Sequence, residues 1–158
     1  MFLGLSLLTF LFLIPLSVQD LKERMIYSFP VQLLVISWGI YSALLYKDEP
    51  GTYFKCIFIS VILFLIFNLL KVWGDGDSDV FLLGVTILLS VFRMVSVRFF
   101  LISICIMVIF SLLFSFAVGL IESLFKKEKL SKESALAVVP GFSITFLSIL
   151  IYKLGGFV

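Results

Sequence analysis

The chain has 158 residues, 62% of them hydrophobic and 14% charged, with a net charge of +2 and a mean hydropathy of +1.25. Soluble domains are about 45–50% apolar and about 25% charged, and a chain this small has too much surface per volume to hide such an excess. A soluble fold is therefore excluded, lipid is the solvent for most of the chain, and the expected class is an all-α polytopic membrane protein. Twelve scattered basic residues against ten acidic ones exclude nucleic acid as a partner. There is no histidine, and the two cysteines, Cys56 and Cys105, stand singly inside apolar runs. No zinc or haem ligand set follows from them, so neither a metal nor a cofactor is expected and both thiols read as buried and unreactive.

A spanning helix takes about 20 residues, which leaves room for about six spans with short loops in one membrane-embedded domain over 1–158, without a separate soluble domain. Residues 1–18 form the first apolar run. They lack the basic start and small-residue cleavage site of a signal peptide, so they read as a spanning helix in which Pro15 is tolerated. A polar segment, QDLKERMIYS, follows at 19–28, and the second span runs from about Phe29 to Tyr46, opened by Pro30. Lys47 to Gly51 is a turn by its Pro-Gly and charge content. The third span covers Tyr53 to Leu70. The fourth covers Val80 to Phe92 or a little beyond, and the fifth runs from Phe99 to about Ile121. A lysine-rich segment at 122–134 precedes the last span at 135–152.

Six spans put both termini on one side and sort the basic residues by side. Lys22, Arg24, Lys71, Lys126, Lys127, Lys129 and Lys132 fall on one face; Lys47, Lys55, Arg93, Arg98 and Lys153 fall on the other. The dense 126–132 cluster and the positive-inside rule place the first face in the cytoplasm of a plasma membrane, with the termini outside. Asp20 and the cluster Gly74-Asp75-Gly76-Asp77-Ser78-Asp79 then share the cytoplasmic face.

Carboxylates beside hydrocarbon are costly and mark a functional site by default. One reading makes Asp77, Ser78 or Asp79 the N-cap of the fourth helix, Asp75 a solvated loop carboxylate, and Asp20 part of a charged helix end with Lys22, Glu23 and Arg24. An EF-hand loop fails, because its glycine and glutamate positions are held by Val80 and Thr86. The other reading pairs Asp20 with Asp77. Two carboxylates in one site cannot both ionise easily, so one keeps a proton. Such a pair can activate water with one member and donate a proton with the other. Gly74 and Gly76 would then permit a tight turn and close approach by an extended substrate.

Gly74-Asp75-Gly76-Asp77 entering an apolar helix resembles the signature of the GxGD membrane aspartyl proteases, and most closely the type IV prepilin peptidases and preflagellin peptidases. Those proteins typically carry a first aspartate after the first span, in a pattern like D-x-basic-x-basic-x-I-P-N. Here Asp20, Lys22, Arg24 and Ile26 match, whereas Tyr27 and Ser28 replace Pro-Asn. Asp79 stands where lysine is common, and Val139-Pro140-Gly141-Phe142 is similar to a late proline motif of the family. The resemblance spans essentially the whole chain.

It implies an aspartic endopeptidase with Asp20 and Asp77 as catalytic dyad and Gly74 and Gly76 shaping the turn that presents Asp77. Its partners would be prepilin-like, pseudopilin-like or flagellin-like precursors whose short basic leader is removed at the cytoplasmic face. Asp75 and Asp79, with Glu23, add negative charge toward that leader; Lys22 and Arg24 frame the first motif. No CxxC pair is present, so the resemblance is to the compact form without methyltransferase activity. Two rivals stand beside it: a small transporter or ion-conducting protein using Asp20 and Asp77 as a relay, and a non-catalytic membrane scaffold.

Overall fold

A computed structural model describes residues 1–23, 25–70, 74–92, 94, 96–126 and 137–156. Six helices account for nearly all of them: α1 (Phe2–Glu23), α2 (Ser28–Leu45), α3 (Pro50–Leu69), α4 (Asp75–Val91), α5 (Val97–Lys126) and α6 (Val139–Gly155). No strand occurs among the described residues. The protein is an all-α polytopic membrane protein, as its composition requires. In hydrocarbon every backbone amide needs an internal partner, and the helix supplies it within one segment. Hydroxyls in these helices are satisfied in the same local way. Ser6, Thr9, Ser17 and Ser60 each bond the carbonyl four residues back, at 2.7–2.9 Å.

Helix α4 is the centre of the bundle. It packs against α2, α3, α5 and α6, while α1 closes the ring between α2 and α6. From Val80 to Val91 only Leu82 is less than buried, so other helices shield α4 along nearly all of its apolar length. The outer helices bury one stripe and turn Leu7, Ile36, Phe58 and Phe110 outward, each at least half exposed. That inverted pattern is the one expected of helices solvated by acyl chains. Helices α1, α2, α3 and α5 are long and apolar enough to cross a membrane. Helices α4 and α6 have 17 residues each, rising about 25 Å, somewhat less than the roughly 30 Å of a bilayer's hydrocarbon.

Close packing around α4 depends on small residues, as is usual where hydrophobicity cannot drive helices together. A Cβ on Gly84 would lie 2.4 Å from the Phe146 ring. A Cβ on Gly141 would lie 2.1 Å from Ser115 Oγ and 2.2 Å from the Ser111 carbonyl oxygen, so α5 and α6 touch at backbone distance. Trp38 is fully buried and donates its indole N–H to Thr9 Oγ1 at 2.8 Å, linking α2 to α1. At the opposite end Tyr46 accepts the Met94 N–H through its hydroxyl, fixing the α4–α5 connection to the α2–α3 turn.

Several boundaries differ from the hydropathy reading. Helix α1 does not stop at residue 18 but continues to Glu23, because its last turn can be polar once it leaves the apolar zone. Asp20 therefore lies on the last turn of this helix, as in the reading that made it part of a charged helix end. Helix α4 begins at Asp75, so the aspartate cluster is its first turn. Cys56 is buried, but Cys105 is exposed on α5, correcting the expectation that both thiols are buried. Arg24, Lys71, Arg93, Lys127, Lys129 and Lys132, on which the sidedness argument leans, lie outside the described residues.

Candidate functional site

Three helix ends converge at one end of the bundle: the last turn of α1, the first turn of α4 and the first turn of α6. Helix α1 brings Asp20, which is buried. Its Oδ2 accepts the backbone N–H of Val139, the first residue of α6, at 3.0 Å. The free amides and dipole of a helix N-terminus favour a negative charge there.

Asp77 is half-buried in the polar first turn of α4, ahead of the apolar stretch that begins at Val80. Its Oδ2 accepts the Gly74 N–H at 3.2 Å. Burial and then the neighbouring Asp20 carboxylate push the Asp77 pKa up to about 6, although the Gly74 hydrogen bond pulls it the other way. The two aspartates, 57 residues apart in the chain, are thus electrostatic neighbours. The N-cap of α4 is Gly74, not Asp77, Ser78 or Asp79. Asp77 sits at the third helical position and reaches back to the cap, a local role that by itself would lower its pKa.

The glycines act differently from the turn expected of them. Gly74 has φ −69° and ψ 160°, extended backbone open to any residue, and a Cβ there would make ordinary contact with Asp77 at 3.4 Å. Gly76 is the constrained one. A Cβ on it would stand 2.5 Å from Ile26 Cγ1. Ile26 closes the Asp20–Ile26 motif, so the two motifs pack directly on each other, and the close approach at Gly76 comes from this chain.

The other expected site residues divide. Asp79 is half-buried, and its Oδ2 accepts from Gln32 Nε2 of α2 at 3.3 Å. Asp75 is the first residue of α4. Lys22 is exposed at the end of α1, beside Glu23, which accepts from Gln19 at 3.0 Å. Arg24 lies outside the described residues. Among those described, no group of three or more His, Cys, Asp or Glu side chains could hold a metal.

The sequence reading missed the residues that hold the three helix ends in place. Ser78 Oγ donates to Asn68 Oδ1 at 2.6 Å, pinning α4 to α3. One turn from the Asp20–Val139 bond, the Ser17 and Ser143 hydroxyls meet at 2.7 Å and join α1 to α6. Ser115 Oγ lies 3.0 Å from the Val138 carbonyl, and Ser111 donates to Thr145 at 3.1 Å, joining α5 to α6. The four-residue spacings Ser111–Ser115 and Gly141–Thr145 carry a signal for this contact, small residues one turn apart. Val139 carries none, since its contribution is a main-chain N–H. Compared with family models, curated proteins and solved structures, the chain matches none.

Proposed function

We propose that the protein is a membrane aspartic endopeptidase that removes a short basic leader from prepilin-like precursors. The observation that carries this reading is the pairing of Asp20 with Asp77 and the raised pKa of Asp77 beside it. A carboxyl whose pKa is raised toward neutrality next to a second carboxylate is equipped for concerted acid–base hydrolysis of an amide. The Asp20–Ile26 and Gly74–Asp77 motifs that prompted the resemblance are in contact through Ile26 and Gly76, which supports treating them as one site.

In this reading the pair holds one proton and one water. The ionised carboxylate takes a proton from water as its oxygen attacks the scissile carbonyl, and the acid protonates the carbonyl oxygen. The substrate's apolar segment stays in lipid while its leader, held in the cytoplasm by positive charge, meets the dyad at the membrane face. Asp79 and Glu23 give that face negative character toward the leader.

The test is co-expression with a prepilin-like precursor, following leader removal on a gel. Asp20→Asn and Asp77→Asn should each lower processing by roughly 10²–10⁴-fold, the usual worth of an acid–base group. Cleavage that survives both changes overturns the reading and favours the relay or scaffold.

A further inference from the structure

The two carboxylates meet different backbone environments. Asp20 is buried, and its Oδ2 holds the Val139 N–H at 3.0 Å, an amide of α6's first turn. Residue 140, next in α6, is proline and has no N–H of its own. Asp77 is half-buried, and its bond to the Gly74 N–H is longer, at 3.2 Å. Among the described residues few other charges stand at this end. Helix α1 contributes Lys22 and Glu23, both exposed, and α4 contributes Asp79, held by Gln32. Helix α5 brings Glu122 to this end. Helix α2 has no charged residue, α3 has Lys55 alone near its far end, and α6 has none before Lys153.

We propose that the N-terminus of α6 keeps Asp20 as the ionised member of the pair and leaves the shared proton on Asp77, with Val139 as the positioning residue. The raised pKa of Asp77 agrees with this, since ionising it would place a second negative charge beside Asp20. The chemical roles that follow rest on the peptidase reading. Asp20 takes a proton from water as the water oxygen bonds to the scissile carbon, and Asp77 gives its proton to the carbonyl oxygen. The gem-diol then returns one hydroxyl proton to Asp77 while Asp20 passes its own to the amide nitrogen. The C–N bond breaks, an acid and an amine leave, and both aspartates regain their starting states.

The experiment is a site-resolved NMR titration of aspartate carboxyl carbons in lipid nanodiscs, for the wild type, Asp20→Asn and Asp77→Asn. Between about pH 4 and about pH 8 the carboxyl that titrates highest should vanish in Asp77→Asn. In Asp20→Asn it should persist with a lowered midpoint. A high-titrating carboxyl that vanishes in Asp20→Asn and persists in Asp77→Asn overturns the proposal. Val139→Pro deletes the N–H, while also pressing on the αR backbone of Val138, whereas Val139→Ala keeps it. The proline variant alone should lower the Asp77 midpoint and slow leader cleavage by roughly 10- to 100-fold, the worth of one hydrogen bond to a charged group. Equal effects of the two Val139 variants overturn the positioning role. The expected titration without any cleavage in the wild type would defeat the peptidase reading and leave the charge assignment standing.

Discussion

Asparagine in place of Asp77 preserves the side chain's shape and its ability to accept the Gly74 N–H, but it abolishes ionisation. In the folded protein the Asp77 pKa rises from its ordinary 3.8 to about 6, through burial first and the Asp20 carboxylate second. The folded state therefore binds this proton more tightly than the unfolded state. The resulting cost is absent below about pH 3.8, grows as pH rises toward 6 and stays constant above it. At about 1.36 kcal/mol per pH unit the rise corresponds to about 3 kcal/mol, and water at the exposed side of this half-buried group brings that to roughly 2–3 kcal/mol. Asp77→Asn lacks the cost. It should be more stable than the wild type by that amount near pH 7.5, and the two should converge near pH 4. Thermal unfolding in detergent, followed by tryptophan fluorescence at both pH values, measures the difference. A carboxylate whose main work is to cap α4 predicts no such gain, because asparagine caps about as well as aspartate. A variant that unfolds at or below the wild-type temperature at pH 7.5 would refute the argument from Asp77's environment.

Other substitutions probe the contacts that build the site. Gly76→Ala places a methyl 2.5 Å from Ile26 Cγ1 and should cost about 1–3 kcal/mol; adding Ile26→Ala should recover much of it, as a double-mutant cycle of unfolding temperatures would show. Gly141→Ala meets the Ser111 carbonyl and the Ser115 backbone nitrogen, which cannot swing aside. It should cost more than Gly76→Ala in the same assay and should weaken cleavage by displacing Val139. Ser17→Ala removes the hydroxyl bond to Ser143 and should cost about 0.6 kcal/mol, the average for such bonds between membrane helices, with folding otherwise intact.

Hydropathy made the six helices legible, because runs such as Tyr53–Leu70 and Phe99–Ile121 admit no other solvent than lipid. The two spans between Asp20 and Asp77, an even number, also put both at the same end of the bundle. Three things were not legible, each for a physical reason. The stopping point of α1 at Glu23 was hidden from hydropathy because a helix can leave the membrane and remain a helix while its residues turn polar. The central place of α4 was hidden because lipid and a protein interior accept the same apolar side chains, so buried and lipid-facing runs look alike. Only Gly84, Thr86 and Ser90 hinted that this helix faces other helices. The Asp20–Val139 bond was hidden most completely, since any residue except proline supplies a backbone N–H.

That bond has a consequence for how the protein is made. Asp20 and Val139 are separated by 119 residues, and the chain is synthesised from the other end. At about 5–20 residues per second, Asp20 leaves the ribosome roughly 6–24 s before its partner amide exists. Through that interval the emerging helices can insert, but the carboxylate in α1 waits without the amide that holds it. Completion of the site is thereby tied to completion of α6, and a chain stalled before Val139 carries both aspartates without the geometry that joins them.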